Sequence, residues 1–136
     1  MKQSVAGIAI EKGKVFIARR KAGGDLGGKW EFPGGKVEEG ESDADALRRE
    51  FLEEFALAVT AGPLLASGTF FHNGQEFALN GYRVFFASDR FNLTEHVECR
   101  WAAFDEIATL DFADSDRLLF PPLQAYLHAQ PDVEER

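Results

Sequence analysis

The chain has 136 residues, the size of one domain, and its 45% hydrophobic and 12% aromatic content, including 13 Phe, excludes disorder over most of the length. No apolar run approaches the roughly 20 residues that a membrane-spanning helix needs. Lys and Arg number 15 against 23 Asp and Glu, a net charge of −8. Nucleic acid polymers and anionic membranes, both bound through basic side chains, are thereby disfavoured as partners. A single cysteine, Cys99, excludes an internal disulfide framework and a multi-cysteine zinc site. With no long apolar segment at the N-terminus, a cytoplasmic protein is expected.

Residues 4–10 predict a strand, Lys12-Gly13 a turn and residues 15–18 a second strand, together a hairpin. Residues 21–29 hold four glycines and predict a flexible loop; Trp30-Glu31-Phe32 is a short extended piece ended by Pro33-Gly34-Gly35. Ser42 opens the clearest helix, with Asp45 three residues on in a capping-box-like pattern. Ala44, Leu47, Phe51 and Phe55 give it an apolar stripe, and it should end near Phe55 or Ala56. Extended segments at 57–60 and 64–71 are separated by Gly62-Pro63. His72-Asn73-Gly74 predicts a tight hairpin turn into a return strand over 76–87, with a bulge expected at Asn80-Gly81. A strand at 99–104 and a helix over 115–127, kinked or broken by Pro121-Pro122, complete the domain over residues 1–129. Residues 130–136 predict a frayed polar tail.

Glu50, Glu53 and Glu54 fall at i, i+3 and i+4 and so share one helix face. Alone, such a cluster reads first as solvated surface. Clustered carboxylates also suit hard divalent cations, and Mg²⁺ commonly joins carboxylates to substrate phosphates. The surrounding spacing favours the second reading. Gly35 is followed after five residues by Glu41, then after seven by Arg49-Glu50, Phe51, Leu52, Glu53-Glu54, Phe55, Ala56 and Leu57.

This pattern resembles the Nudix box, and at average residue usage its six matched polar and glycine positions arise by chance on the order of once in ten million starts. One position departs: Ala56 stands where the box has Gly. If Ala56 ends the helix in a left-handed conformation, the cost is about 1 kcal/mol and no ligand is lost. The segment from Trp30 to Glu38, the run Ile17-Ala18-Arg19-Arg20, Thr94-Glu95-His96 six residues before Trp101 (counted from Glu95), and Asp111-Phe112-Ala113-Asp114 are similar to MutT-type nucleoside triphosphate pyrophosphohydrolases. The resemblance covers residues 5–127. It implies an α/β Nudix fold, an α/β/α sandwich with a central mixed sheet and a catalytic loop-helix.

The resemblance further implies a Mg²⁺-dependent enzyme, with Mn²⁺ as a possible substitute, acting on a small-molecule nucleotide. Glu50, Glu53, Glu54, the Gly35 carbonyl and a loop-borne Glu95 would ligate metal. Glu50, oriented by Arg49, is the preferred general base and Glu95 its rival. Glu41 would fix Arg49 or metal-bound waters. Arg20 and Lys36 are the cations best placed for phosphate, and Phe32 corresponds to a residue lining the base site, though a core position suits it equally. Asp114 corresponds to a base-reading residue. As an ionised acceptor it would favour cytosine or guanine edges, which offer donors; helix N-cap is its alternative. Pyrophosphate release from (deoxy)nucleoside triphosphates, CTP, dCTP or 8-oxo-dGTP among them, is the leading expectation. Hydrolysis of another nucleoside diphosphate-linked compound, such as a nucleotide sugar or dinucleoside polyphosphate, and a non-catalytic nucleotide-binding module are the alternatives.

Gly23 to Lys29 approaches a phosphate-binding loop, but Trp30 cannot ligate Mg²⁺ and Pro33 follows where a helix should start. A loop beside the substrate site is expected instead. Cys99 is expected to be a buried, inert thiol, and His72, His96 and His128 turn, loop or surface residues without ligand spacing. Oligomeric state is not readable from the apolar pattern.

Overall fold

A computed structural model describes residues 2–130; of the tail expected to fray, 131–136 lie outside the described residues. The elements are β1 (Lys2–Glu11), β2 (Lys14–Arg20), β3 (Trp30–Glu31), β4 (Gly34–Lys36), α1 (Asp43–Phe55), β5 (Val59–His72), β6 (Gln75–Phe86), β7 (His96–Ala102), α2 (Phe104–Ile107), α3 (Asp114–Arg117) and α4 (Phe120–Ala129). The sheet is mixed: β1 runs parallel to β6 and antiparallel to β2 and β4, β6 pairs antiparallel with β5, and β2 with β3 and β7.

Alternation along β1 sends its side chains into two cores. Val5 and Ala9 join Phe16, Leu47, Phe51, Phe55 and Val84 beneath α1. Ala6, Ile8 and Ile10 join Ile17, Phe32, Leu79, Phe112, Leu119 and Leu123 on the side of α2, α3 and α4. Helices therefore cover both faces, the α/β/α sandwich that was expected. Gly7, between Val5 and Ala9, leaves the space that the Phe51 ring fills; a Cβ there would collide with it. Phe16 packs edge-on against Phe55, Phe86, Phe91 and Trp101, so the α1 core is largely aromatic.

The strand β1 splits its antiparallel pairing. Ser4 to Ala6 face β4, whereas Ile10 and Glu11 face β2. The chain crosses between them through Phe32 and Pro33, whose carbonyl accepts from Gly7 N at 2.7 Å. That split carries β4, and with it Gly35, to the start of the loop leading to α1.

Several expected boundaries move. Gly62-Pro63 does not divide two strands: β5 is continuous, and its register against β6 shifts between Ala61 and Leu64 and again between Leu64 and Ala66. An irregular stretch is where a proline without N–H fits a strand. The bulge expected at Asn80-Gly81 is absent; both residues pair regularly with β1 and β5. The irregularity falls on β5 because β5 has one ladder to lose, whereas β6 is paired on both sides. Among the apolar residues of α1, Ala46 rather than Ala44 is buried. The strand expected at 99–104 begins earlier, at His96, and Phe104 already belongs to α2. The C-terminal helix is interrupted at Leu118 and Leu119, ahead of the prolines, which occupy the first turn of α4 where a missing N–H costs nothing.

Candidate active site

The helix α1 begins where Ser42 Oγ accepts from Asp45 N at 3.1 Å, the expected cap. Its first turn is tied to the sheet by Asp43, which accepts from Tyr82 Oη at 2.5 Å and from Asn80 Nδ2 at 3.2 Å. The helix ends at Ala56, left-handed at φ 53° and ψ 38°, with its N–H on Leu52 O at 3.0 Å. The last carbonyls of α1 are met by the loop before β7. Thr94 Oγ1 donates to Glu53 O and Glu54 O at 3.0 Å each, and Asn92 N donates to Phe55 O at 2.8 Å. The loop bearing Glu95 is thus pinned to the end of the helix bearing the other carboxylates.

Arg49 organises that helix face. Its Nε and Nη2 donate to the two oxygens of Glu41 at 2.7 and 3.0 Å, and Nη2 also reaches Lys36 O at 3.0 Å. Nη1 lies 3.3 Å from Glu50 Oε1 and 3.2 Å from Glu53 Oε1. The paired guanidinium holds the Glu41 carboxyl well down, to about 2, and the Arg49 guanidinium is itself raised. Glu41 is thus bound to Arg49, the side chain that also reaches Glu50 and Glu53.

The carboxylates differ in surroundings. Glu53 is exposed, Glu50 is largely covered and Glu54 is buried at 7% exposure. Burial raises the Glu50 carboxyl, against the pull of Arg49. Burial, then the charges of Glu50 and Glu31, push Glu54 up to about 9. Glu54 Oε1 has no hydrogen-bond partner among the described residues. A buried carboxylate oxygen without a donor is costly unless a proton or a cation meets it, so this oxygen-rich, anionic donor set fits a hard divalent cation.

Beside the cluster opens a cleft of about 460 Å³, lined by Gly34, Gly35, Lys36, Arg20, Glu31, Phe32, Asp114 and Asp116 among others. Of the predicted substrate residues, all four therefore reach one cavity. Phe32 is buried among Phe112 and Phe120 and also lines the cleft. Lys36 Nζ sits 5.4 Å over the Phe77 ring, and Arg20 is paired with Glu31 at 3.2 Å. The glycine-rich loop contributes Asp25, Leu26 and Lys29 to the cleft, in keeping with its expected place beside the site. Asp114 is not the N-cap of α3; Ala113 is, and no side chain among the described residues caps that helix.

Three functional candidates escaped the sequence. Asp116 is buried, accepts from Phe32 N at 2.8 Å and lines the cleft; burial, then the Glu31 charge, raises its carboxyl to about 7. Glu31 and His96 are likewise buried, their Oε2 and Nε2 2.8 Å apart. The expectation that His96 is a loop or surface residue is wrong: it opens β7, and its ring stacks on Phe55. The strand expected from Cys99 leaves His96 outside it, whereas β7 begins at His96 and buries that side chain. Cys99 is half-buried rather than buried, its thiol raised by burial and by Glu98.

Residues 1–123 match the NUDIX domain family. The chain belongs to the Nudix family of hydrolases. It is 34% identical over 131 residues to the Escherichia coli CTP pyrophosphohydrolase, covering 96% of this chain and 97% of that protein. It is 35% identical over 119 residues to a putative 8-oxo-dGTP diphosphatase 2 of Mycobacterium tuberculosis, covering 83% and 81%. Among solved structures, the E. coli ORF135 protein superposes with a TM-score of 0.86 at 34% identity, over 96% of this chain and 94% of that one. The MutT protein of Methanosarcina mazei Go1 shares the fold, with a TM-score of 0.82 at 23% identity over 95% and 96%. No described helix of this Nudix protein is long and apolar enough to cross a membrane.

Proposed function

We propose that this Nudix hydrolase cleaves nucleoside triphosphates to the nucleoside monophosphate and pyrophosphate, with Mg²⁺ as its cation and Mn²⁺ as a substitute. The observation that carries this is Glu50 and Glu53 sharing Arg49 Nη1, with the buried Glu54 close to Glu50, beside a cleft of about 460 Å³. Glu50, Glu53, Glu54, the Gly35 carbonyl and Glu95 would hold the cation. When bound, Mg²⁺ neutralises phosphate oxygens that would otherwise repel an anionic nucleophile.

The protein's own groups do the rest. Glu50, its Oε1 steadied by Arg49 Nη1, accepts the proton of the attacking water; Glu95, exposed on its pinned loop, is the other carboxylate able to do so. Arg20 and Lys36 face the phosphates from the cleft wall. Phe32 offers its ring to the base, and Asp114 accepts from the base edge. An acceptor there favours the amino group of cytosine or the N–H edge of guanine over uracil or thymine. Similarity to proteins named for CTP and for 8-oxo-dGTP supports the same pair of bases.

The test is a panel of CTP, dCTP, 5-methyl-dCTP and 8-oxo-dGTP with Mg²⁺, scored for pyrophosphate against phosphate release. Pyrophosphate from at least one, abolished in Glu53→Gln with the fold retained, is expected. No turnover of any triphosphate would sink this reading, and normal turnover by Glu53→Gln would remove the metal assignment.

A further inference from the structure

The imidazole of His96 does not line the cleft, yet it lies directly behind Glu31, which does. Its side chain is fully buried, with Phe55 stacked on one face at 5.0 Å and 13°. Nε2 is 2.8 Å from Glu31 Oε2, and Glu54 Oε1 stands 3.9 Å from the same nitrogen. Glu31 Oε2 is also held by Arg20 Nη1 at 3.2 Å. Nδ1 is buried and has no partner among the described residues.

These contacts decide which nitrogen carries the hydrogen. With hydrogen on Nδ1, a buried donor would lack an acceptor while the bare Nε2 lone pair faced a carboxylate oxygen at 2.8 Å. With hydrogen on Nε2, a charge-assisted bond forms and only an acceptor lone pair is left against apolar surroundings, the smaller cost. Glu31, Glu54 and His96 also present ligand-competent atoms within 4.8 Å of one another, so a metal on the imidazole is the rival assignment. A metal on Nε2 would move the hydrogen to the unpartnered Nδ1 and take from Glu31 its shortest donor. The geometry favours the hydrogen bond.

We infer that His96 is a positioning residue: its Nε2–H fixes the Glu31 carboxylate, and Glu31 in turn holds the Arg20 guanidinium in the cleft, so that nucleotide affinity depends on a side chain that never touches nucleotide. This rests on the reading of the cleft as a nucleotide site. Glu31 is buried close to Glu54, and its Oε2 is met by Arg20 Nη1 and His96 Nε2. Without His96, Arg20 is the remaining donor to Glu31 Oε2 among the described residues, and the pair loses its support from behind.

Two measurements test this. In the metal-free wild-type chain, long-range ¹H–¹⁵N NMR should show His96 as the Nε2–H tautomer, and Glu31→Gln should shift that resonance by weakening the acceptor. For function, His96→Leu removes the donor, whereas His96→Gln keeps an amide N–H at a similar reach. His96→Leu should raise KM for the preferred triphosphate, and Kd for its non-hydrolysable analogue, roughly tenfold with kcat within about threefold. His96→Gln should restore most of the loss. A merely structural role would lower kcat through the folded fraction and leave KM alone. Hydrogen on Nδ1, unchanged KM in His96→Leu, or equal impairment of both variants would overturn the inference. Absence of turnover and of analogue binding in the wild type would instead defeat the nucleotide reading, and the NMR result would still decide the hydrogen bond.

Discussion

Gly35 and Glu50 are in such close register that a Cβ on Gly35 would fall on the Glu50 carboxylate, inside the contact distance of Oε2. The space that Gly35 leaves is filled by the Glu50 side chain, and its backbone conformation is not what demands glycine: Gly35 lies in β4, paired with Val5. Gly35→Ala should push the Glu50 carboxylate off its Arg49 contact by about an ångström. A displacement of that size at a reacting group costs on the order of a hundredfold in kcat. Steady-state kinetics beside a thermal melt checks this; wild-type kcat in a folded Gly35→Ala protein would show that Glu50 has another place to go.

The bond network of Arg49 makes a second prediction. Its two-point pairing with Glu41 uses Nε and Nη2, leaving Nη1 for Glu50 and Glu53. A lysine offers one charged atom and cannot serve both sides of that fork. Arg49→Lys is expected to lower activity or metal affinity by about 10- to 100-fold, and Glu41→Gln by an amount toward the lower end. Metal titration of each purified variant, with activity measured at saturating metal, distinguishes a misplaced ligand set from lost turnover. If both variants matched wild type at limiting metal, the network would be only surface pairing.

The polar half of this site was legible because its residues are local in the chain. Glu50, Glu53, Glu54 and Arg49 occupy one helix, and their spacing alone aligns them. Arg20, Lys36 and Asp114 were reached only through family resemblance, since nothing in their local sequence says that β2, β4 and α3 converge on one cleft. Glu31, His96 and Asp116 were missed for a related reason. Each is a polar residue whose burial depends on partners 65 or 84 positions away, Glu31 with His96 and Phe32 with Asp116. The alternation that placed the apolar strands correctly assigns polar residues to solvent by default. In the fold, local patterns found the helix α1 and the Asn73-Gly74 hairpin, whereas the β5 irregularity follows from tertiary position: an edge strand yields before a central one.

Ala56 offers a stability prediction independent of the site chemistry. It ends α1 at φ 53°, where a side chain costs about 1 kcal/mol relative to glycine. Ala56→Gly should raise the melting temperature by a few degrees with kinetics unchanged. Calorimetry decides it. A lower melting temperature would mean that the entropy glycine adds to the unfolded chain outweighs the strain relieved.

The burial of Glu54 links stability, pH and metal. In the unfolded chain its carboxyl titrates near 4.5; in the folded, metal-free protein burial and the charges of Glu50 and Glu31 hold its proton up to about 9. Across that interval the folded state binds a proton that the unfolded state has released. The stability Glu54 contributes is therefore complete below pH 4.5 and is lost as pH rises toward 9, with a slope of at most about 1.4 kcal/mol per pH unit. Glu54→Gln carries no titrating proton and should flatten this part of the profile. A divalent cation can take the place of the proton, so Mg²⁺ or Mn²⁺ should raise the wild-type melting temperature more at pH 8 than at pH 5.5. Glu54→Gln should lose most of that gain while being the more stable protein in chelator at pH 8. Melts over pH 5 to 9, in chelator and in metal, read all of these together. A wild-type profile parallel to that of Glu54→Gln in chelator would mean that the carboxylate is solvated in the free protein, and the link between its burial and metal binding would fail.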